Sequence, residues 1–586
     1  MPTISPRIAA LIEAAKIKHA ARLANMPPVA TPLPTPKPTP TTALPESGDG
    51  FTDSMKSVGL SLSTTSNLGQ TSKQVFNPEQ LQAIELGLQG KSFCLIGAAG
   101  TGKTTVTQEL ISRLEQASHV RPVVHSTKHL IKDAPGIVVC GFTNKAVNNI
   151  RKKLPKHLQS HCLTIHKLLE YAPNYYEIPD METGGYRTTM RFEPAMNSAN
   201  PLPHISTIIF EESSMIGTDL YAQVISALPR PQATQIIFLG DLNQIPPVFG
   251  PSILGFKLAE LPIVELVHVY RQALLSPIIS LATSVRTNSA SDLPAKLTDK
   301  LVIDNGEHGK VTIHPWKKRV SNMAAIGFMK SFLPTLVSSG SLDPEQDIIL
   351  CPFNKSFGTV ELNKIMADYL GKQRQATVFE VIARYLKSYW AVGDRVMVDR
   401  HEAKITKITR TIGYAGKLPV TESQTLDRWG VDSENGIAPA MTADEILNAL
   451  DGLGTDDEGK NLASHSIEVY FPDFDETRIL STAGEINSML FGYALTIHKS
   501  QGSEWQRVFL FLHNSHATML SRELVYTAVT RAKQELYVIC EGDIAPYKNS
   551  IQAASQRPVI PGIKLSAKIE FFKGKAQNMK SMSDAD

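Results

Sequence analysis

A glycine-rich loop separates an apolar run at residues 92–97 from a helical stretch that begins at Thr105. The loop has the spacing G-x-x-x-x-G-K-[ST] and consists of Gly97, Ala98, Ala99, Gly100, Thr101, Gly102, Lys103 and Thr104. Glycines let the backbone N–H groups turn inward around phosphate, and the helix that follows presents its positive end to the same place. A strand, this loop and a helix in succession predict an α/β fold with a nucleotide site.

Lys103 and Thr104, at the end of this loop, carry the side chains that phosphate and metal binding require. The Lys103 ammonium can reach the β- and γ-phosphates, and the Thr104 hydroxyl is a ligand for Mg²⁺. Thr105 follows in the first turn of the helix. We therefore predict ATP and Mg²⁺ as cofactors, and a glycine-rich turn without a ligand is the alternative.

Two carboxylates and an amide that follow other apolar runs are candidates for hydrolysis. Glu211 and Glu212 end the run at 206–212, where Glu211 suits the metal shell and Glu212 suits the orientation or deprotonation of water. Gln244 follows the run at 235–241 and can sense the γ-phosphate. Two acids at an exposed strand end, with no catalytic role, are the alternative for the glutamate pair.

Further β-branched runs extend the α/β pattern along the chain, at 137–143, 347–353, 494–498, 507–513 and 535–540. Strands that alternate with helical stretches indicate parallel pairing through crossover helices. Residues 400–480 lack this rhythm and are rich in acidic and turn residues. The predicted boundaries are 73–267 for a first domain, 268–399 and 483–548 for a second domain, and 400–482 for an inserted module.

The two ends of the chain differ from this globular part. Residues 1–25 predict an amphipathic helix that can dock on a partner, and a transit peptide is not our preferred interpretation. In the linker at 26–72, 8 of the 19 residues from Pro27 to Pro45 are proline, so we assign it no fold. The end of the chain, 549–586, is expected to be a solvated tail, and DNA contact is its alternative. Its lysines are Lys564, Lys568, Lys573, Lys575 and Lys580.

Charge and cysteine content exclude several classes of protein. The net charge of +3 argues against coating nucleic acid by bulk charge, but it permits a local basic channel. The five cysteines are far apart and form no CxxC pair, which disfavours a disulfide scaffold or a zinc ribbon. No apolar run approaches the ~20 residues that span a bilayer. We expect an intracellular, cytoplasmic protein of phage or bacterial type with no membrane partner.

Nine segments, in this order along residues 74–548, resemble the motifs of superfamily 1B (RecD-like) DNA helicases. They are NPEQ at 77–80, the phosphate loop, FTNKA at 142–146, LTIHK at 163–167, EESSM at 211–215 with GDLNQIPPV at 240–248, VYRQ at 269–272, TIHKSQGSE at 496–504 and VYTAVTRA at 525–532. The resemblance implies two RecA-like parallel-sheet domains with a small 1B hairpin insertion, an SH3-like 2B insertion and a disordered N-terminal tail.

The resemblance also assigns roles to individual residues. It implies adenine recognition by Gln80, nucleotide contacts by Gly502 and Glu504, and contacts to the γ-phosphate by Arg271 and Arg531. The residues that it implies for DNA binding are Thr143, Asn144, His166, Pro246, Pro247, Thr496, His498, Lys499 and Thr530. Local capping or packing is the alternative for the polar side chains among these.

Glu211 departs from the family pattern, because the family usually has aspartate at this position. Glutamate adds a methylene, whereas Mg²⁺ requires near-octahedral geometry and usually keeps its waters. We expect slower hydrolysis or an altered metal preference rather than inactivity.

The function that the resemblance implies is 5′→3′ translocation on single-stranded DNA and unwinding of duplex with a 5′ tail, in replication, recombination or repair. The segment 169–204 predicts a strand-separating hairpin, because aromatic residues flank its Gly184-Gly185 turn. They are Tyr171, Tyr175, Tyr176, Tyr186 and Phe192. An ordinary hairpin with a small core is the alternative. For the whole chain the alternatives are a helicase-type motor acting within a repair complex or on RNA, a DNA-stimulated ATPase switch or clamp that does not unwind, and an adaptor that recruits partners. We expect a monomer.

Overall fold

The computed structural model describes residues 76–117, 136–179, 186–247, 250–268, 275–288, 300–316, 321–355, 357–383, 386–398, 401–411, 422–423, 462–472, 475–541 and 550–583. The predicted N-terminal helix and linker, Arg271 and the Gly184-Gly185 turn lie outside these ranges.

The first domain contains a six-stranded parallel sheet. The strands of this half of the chain are β1 Phe93–Gly97, β2 Ile137–Gly141, β3 Cys162–Thr164, β4 Tyr171–Pro179, β5 Tyr186–Pro194, β6 Thr207–Glu211, β7 Gln235–Gly240 and β8 Ile263–Leu266. Its helices are α1 Pro78–Leu88, α2 Lys103–Gln116, α3 Asn144–Arg151, α4 Ile165–Leu168, α5 Thr218–Ala227 and α6 Ile253–Glu260. The order in the sheet is β3-β2-β6-β7-β1-β8. Strands such as β1, β2 and β6 are buried along their whole length, which their apolar runs predict.

This strand order brings the predicted motifs together. Strand β7 pairs with β1 on one side and with β6 on the other, all in parallel. Because the carboxyl ends of parallel strands meet at one edge, the phosphate loop after β1, the glutamate pair after β6 and the Gln244 segment after β7 are neighbours.

The predicted hairpin is present in the backbone. Strands β4 and β5 pair antiparallel, from Tyr171 opposite Pro194 to Pro179 opposite Tyr186. The Tyr171 hydroxyl, at the base of the hairpin, donates to the side chain of Gln223 on α5. The hairpin is therefore anchored to the first domain at its base.

The second domain has its own sheet. The strands of this half are β9 Leu301–Asp304, β10 Lys310–Trp316, β11 Ile348–Cys351, β12 Val378–Ala383, β13 Leu386–Ala391, β14 Arg395–Val398, β15 His401–Arg410, β16 Glu422–Ser423, β17 Leu462–Phe471, β18 Glu476–Thr482, β19 Leu490–Phe491, β20 Ala494–Thr496, β21 Trp505–Leu512 and β22 Ala532–Glu541. Its helices are α7 Pro277–Thr287, α8 Asn322–Ser338, α9 Thr359–Gln373, α10 Ala483–Ser488 and α11 Arg522–Val529. The order is β20-β11-β21-β22-β10-β9, and only the edge strand β9 is antiparallel to its neighbour. The predicted α/β class with two parallel-sheet domains is confirmed.

The inserted module begins earlier and ends later than its predicted limits of 400 and 482. Strands β12 to β19 form two small antiparallel sheets, β13-β12-β16 and β18-β17-β15-β14-β19. The module therefore extends from Val378 to Phe491 among the described residues, with a buried core that includes Trp390 and Ile467. Its first strands are apolar like those of the main sheet, so periodicity alone did not separate them.

The expectation of a solvated C-terminal tail is corrected. Residues 550–583 include two helices, α12 Ser550–Ser555 and α13 Leu565–Ser583. Ile560 and Phe572 are buried in the core of the first domain. The apolar residues Leu565, Ile569 and Phe572 recur at helical spacing, and the lysines between them had obscured that pattern.

The five cysteines are buried, and none of them forms a disulfide bond. None of the helices in the described ranges has the length and apolar character needed to cross a membrane.

Candidate functional site

The phosphate loop adopts a compact turn that requires its glycines. Gly100 and Gly102 have φ angles of 80° and 87°, in the left-handed region that favours glycine. A Cβ atom on Gly97 would lie 2.3 Å from the Thr101 hydroxyl oxygen. The turn ends at Gly102, which caps the N-terminus of α2. The backbone of the loop is thus shaped to surround a small anion.

Lys103 is folded over this loop. Its Nζ donates to the carbonyl oxygens of Gly97 at 2.6 Å and Ala98 at 3.1 Å. The Thr101 hydroxyl also donates to the Ala98 carbonyl, at 2.9 Å. The ammonium is therefore already inside the turn where phosphate charge would be neutralised, and Thr104 and Thr105 follow Lys103 in the first turn of α2.

Of the predicted glutamate pair, Glu211 is buried close enough to Lys103 to interact with its charge, and Glu212 is half-buried. Glu211, the last residue of β6, is 8% exposed, and Glu212 has a left-handed φ of 48°. Burial, followed by the negative charge of Glu212, raises the pKa of Glu211 to about 7, although Lys103 opposes this shift. A non-glycine residue in that backbone conformation stores strain and is often found at functional sites. The pair is held in place rather than solvated.

Several buried polar atoms at this edge of the sheet have no hydrogen-bond partner among the described residues. They are Oε1 of Glu211, Oε2 of Glu212, Oε1 of Gln244 and the hydroxyl oxygen of Ser214. Buried polar groups are normally satisfied, so such a cluster needs an explanation. Three of the four are carboxylate or amide oxygens, which fit a hydrated cation and a bound water.

These oxygens suit Mg²⁺ better than a metal ion whose ligands all come from protein side chains. No group of three histidine, cysteine or acidic side chains that could hold a metal is present within the described ranges. Mg²⁺ characteristically binds through one or two carboxylates plus substrate phosphates and keeps several waters. Glu211 and Thr104 would supply the protein ligands of such an ion.

Tyr526 on α11 of the second domain reaches across to this edge. Its hydroxyl donates to Oδ2 of Asp241 at 2.6 Å and accepts from the backbone N–H of Ala99 at 3.3 Å. Burial and the Asp241 carboxylate raise the pKa of Tyr526 well above its usual value, so the hydroxyl stays protonated. Sequence reasoning missed both residues, although they stand inside quoted motifs. Only the hydrogen bond between Tyr526 and Asp241 distinguishes them from the other residues of these motifs, and the two residues are far apart in the sequence.

Other hydrogen bonds join the two domains beside Tyr526. The Ile245 N–H donates to the Thr527 hydroxyl at 3.1 Å, and the Gln501 amide donates to the Ile245 carbonyl at 3.0 Å. The Asn149 amide donates to the carbonyl of Gly502 at 2.9 Å. Gly502 has a φ of 75°, and a Cβ atom there would lie 2.6 Å from the Thr143 hydroxyl oxygen. The domains therefore meet closely at the predicted motifs.

Arg531 and Gln80, the predicted phosphate and adenine contacts, both bond to groups of the protein in this structure. Arg531 is 4% exposed and donates to the carbonyls of Thr527 and Ser503, both at 3.1 Å. It holds two motifs of the second domain together in this state. Gln80 is buried and forms a capping box with Asn77 at the start of α1, and its Nε2 lies 3.5 Å from the Thr101 carbonyl oxygen. Glu504 is exposed and pairs with Lys533 at 3.3 Å.

Three predicted DNA-binding hydroxyls make local hydrogen bonds. Thr143 caps α3 by accepting from the Ala146 N–H at 3.2 Å, and Thr496 accepts from the Lys499 N–H at 3.3 Å. Thr530 donates to the carbonyls of Tyr526 and Thr527. Thr496 and Thr530 are 7% and 8% exposed. Local capping therefore accounts for these hydroxyls in this state.

The remaining candidates are more accessible. Lys499 is exposed, while Pro246 and Pro247 are half-buried. His498 is half-buried, and burial lowers its pKa, so it is neutral at pH 7. The His166 ring packs edge-on against Phe142 and Tyr171. Asn144 is the first residue of α3.

Family models match both domains of the chain. Residues 80–250 match an AAA domain, and residues 491–539 match the UvrD-like helicase C-terminal domain.

Curated relatives carry the name RecD. The chain is 24% identical over 463 residues to the ATP-dependent RecD2 DNA helicase of Deinococcus radiodurans, across 78% of this chain and 48% of that protein. It is 24% identical over 482 residues to the RecBCD enzyme subunit RecD of Mycolicibacterium smegmatis, across 79% of this chain and 70% of that protein. The chain is therefore similar to RecD proteins over most of its length. It spans about half the length of the Deinococcus protein.

Solved structures similar to this chain include the Pif1 helicase from Candida albicans, at 14% identity and a TM-score of 0.39, covering 86% of this chain and 99% of that one. Bacteroides Pif1 bound to single-stranded DNA is 15% identical with a TM-score of 0.43, covering 86% and 98%.

Proposed function

We propose that this protein is an ATP-dependent DNA helicase that translocates 5′→3′ on single-stranded DNA and unwinds duplex with a 5′ tail. The observation that carries the proposal is the meeting of the phosphate loop, the glutamate pair and Gln244 of one domain with α11 of the other. Such a cleft couples the state of the nucleotide to the relative position of two domains.

The chemistry that we propose follows from the buried groups. Lys103 would neutralise phosphate charge, Thr104 and Glu211 would hold Mg²⁺, and Glu212 would orient the attacking water. Bound Mg²⁺ would neutralise charge that develops on the β- and γ-phosphates. Gln244 aims an unpaired amide oxygen toward the same region and is suited to fix that water or sense the γ-phosphate.

Closure of the cleft completes the proposed site. Arg531 bonds to carbonyl oxygens of its own domain, so it must exchange these bonds to reach phosphate. Arginine fingers contribute ~10³–10⁵ in rate, and hydrolysis that depends on Arg531 and Arg271 would therefore be slow until the domains rearrange.

The path that we propose for DNA passes the interface of the two domains. Thr143 and Gly502 meet there, Asn144 follows Thr143 in the chain, and Lys499 is exposed in the same motif as Gly502. Contacts with phosphates by hydroxyls, backbone N–H groups and a few cations give binding without sequence preference. This is how a chain with a net charge of +3 can translocate on DNA.

We further propose that the protein acts as a monomer on cytoplasmic DNA, in replication, recombination or repair. ATP and DNA are both intracellular, which is the basis for this location. The helix that the sequence predicts at 1–25 is our candidate for contact with a protein partner.

The test measures ATP hydrolysis with and without single-stranded DNA, and then unwinding of matched duplexes with a 5′ or a 3′ tail. We expect stimulation by DNA and unwinding from the 5′ tail. Glu212→Gln, which keeps the size of the side chain, should still bind ATP but hydrolyse it about 10²–10⁴ times more slowly.

Two outcomes contradict the proposal: hydrolysis that is independent of DNA, and unwinding from a 3′ tail only. DNA-stimulated hydrolysis without unwinding of either duplex would instead support the ATPase clamp.

A further inference from the structure

The C-terminal helix α13 packs on the first domain, although it follows the second domain in sequence. It lies against α6. Phe572 covers Gly255 so closely that a Cβ atom on that glycine would lie 2.2 Å from the aromatic ring. Phe572 also packs edge-on against Phe256, with ring centroids 5.6 Å apart. Gly255 therefore permits close packing of this helix.

The segment that leads to α13 is held by α11 of the second domain. The carboxylate of Glu523 accepts from the backbone N–H groups of Val559 at 2.8 Å and Ile560 at 3.2 Å. The guanidinium of Arg522 donates to the Ser555 carbonyl at 2.9 Å. Both side chains are buried. The C-terminal segment thus bridges the helix that carries Tyr526 and the surface of the first domain.

Lys568 on α13 points into the turn that precedes Gln244. It is 2% exposed, and its Nζ donates to the Leu242 carbonyl at 3.1 Å and to Oδ1 of Asn243 at 2.7 Å. Burial lowers the pKa of Lys568, whereas the carboxylates of Asp241 and Glu523 favour its charged form. A lysine that binds DNA would be exposed, whereas Lys568 is buried against two acceptors in the segment that precedes Gln244.

The Asn243 side chain connects Lys568 to a series of hydrogen bonds that reaches the phosphate loop. Its Nδ2 and its backbone N–H donate to Oδ1 of Asp241, at 2.7 and 2.9 Å. The other oxygen of Asp241 accepts from Tyr526, whose hydroxyl accepts from the Ala99 N–H. Lys568, Asn243, Asp241, Tyr526 and Ala99 form one continuous hydrogen-bonded network.

We propose that Lys568 is a positioning residue for ATP hydrolysis, which holds the turn 241–244 in the orientation that directs Gln244 and Asp241 into the cleft. The inference rests on the proposed ATPase activity of the same cleft. It assigns the C-terminal helix a role in ordering the catalytic segment, in place of a role in DNA binding.

The first test compares Lys568→Met with Lys573→Met. Methionine keeps the length of the side chain and removes the charge. Lys573 is the matched control, because it lies on the same helix but is exposed and pairs only with Glu570 at 2.8 Å among the described residues. We expect Lys568→Met to lower kcat for DNA-stimulated hydrolysis about tenfold with KM for ATP changed less than about twofold, since a charge-assisted hydrogen bond to the turn is lost.

Asn243→Ser tests the same contact from the other side: it removes the amide oxygen that accepts from Lys568 and keeps the lysine charge. We expect it to lower kcat in the same direction, and the double variant to lose less than the product of the two single effects. Independent, multiplicative effects would contradict the network. So would an equal loss in Lys573→Met, which would indicate a basic DNA-binding surface.

Amide hydrogen exchange of the peptide 240–247 separates this inference from the proposed function. In Lys568→Met we expect at least about tenfold faster exchange there than in wild type, and no change in Lys573→Met. If wild type hydrolyses no ATP but exchange still increases, the proposed function fails and the positioning contact stands. If wild type is active, and both exchange and kcat are unchanged in Lys568→Met, the inference is overturned.

Discussion

At the scale of single residues, Glu211 and Glu212 show what the sequence could and could not predict. Their place at the end of an apolar run predicted a strand-end carboxylate pair, and the structure has the strand end at Glu211. The left-handed backbone of Glu212 and the burial of Glu211 depend on what packs around them, and no local pattern encodes this. The same holds for Tyr526, whose partner Asp241 is 285 positions away in the chain.

Because Glu211 is buried, we expect a proton to compete with Mg²⁺ for its carboxylate. Its pKa is raised from 4.5 to about 7, so the folded metal-free protein binds this proton more tightly than the unfolded chain does. The free energy of unfolding of the metal-free protein therefore loses this contribution as pH rises through that window. Mg²⁺ requires the ionised carboxylate, so we expect the Mg²⁺ concentration for half-maximal ATP hydrolysis to fall as pH rises from about 6 to about 8.

Glu211→Gln is the neutral variant for this experiment, and it should need more Mg²⁺ with no such pH dependence. Glu211→Asp restores the residue usual in the family and should keep the pH dependence, with an altered Mg²⁺ requirement or a higher kcat. If Glu211→Asp matches wild type in both quantities, the extra methylene has no consequence. A pH-independent Mg²⁺ requirement in wild type would contradict the role of the buried carboxyl.

At the scale of elements, buried strands were predictable and docked helices were not. The runs that became β1, β6, β7 and β21 are continuous and apolar, because both faces of a parallel sheet are covered. Helix α13 carries its apolar residues between lysines, and only Gly255 on α6 allows Phe572 to pack so closely. Composition could not indicate a contact that depends on a small residue more than 300 positions earlier.

The hairpin of β4 and β5 allows a test of strand separation. Its register pairs Pro173 with Phe192, so residues 174–191 can be replaced by Asn-Gly, which favours a two-residue hairpin turn. The base of the hairpin, including Tyr171 and its bond to Gln223, is kept. We expect unwinding of the 5′-tailed duplex to fall more than about tenfold, because Tyr175, Tyr176 and Tyr186, three of the aromatic residues proposed to stack on the separating bases, are removed.

DNA-stimulated ATP hydrolysis is the control for the shortened hairpin, and it should stay within about twofold of wild type, since none of the residues proposed for ATP hydrolysis is removed. Parallel loss of hydrolysis and unwinding would mean that the hairpin supports the motor itself. Full unwinding without the hairpin would favour the ordinary-hairpin interpretation.

At the scale of the whole molecule, the order of the motifs predicted which segments meet, but it did not predict the state in which they meet. In this structure Tyr526 holds Ala99, and Arg531 holds carbonyl oxygens of its own domain. The Ala99 N–H is one of the donors that the loop would offer to phosphate, so the tyrosine hydroxyl and the nucleotide compete for it. The domain contact seen here is therefore linked to nucleotide binding.

Tyr526→Phe tests this competition. The variant removes the hydroxyl that accepts from the Ala99 N–H and donates to Asp241. It therefore destabilises the domain contact seen without nucleotide and leaves the Ala99 N–H available to phosphate. We expect ADP, measured by equilibrium titration, to bind about fivefold more tightly, because a typical hydrogen bond contributes about 1 kcal/mol. Tyr537→Phe is the matched control, since Tyr537 packs on Phe509 within the second domain. Unchanged or weaker ADP binding in Tyr526→Phe would mean that the hydroxyl supports the loop in the nucleotide-bound state as well, and that the contact is part of the binding site rather than its competitor.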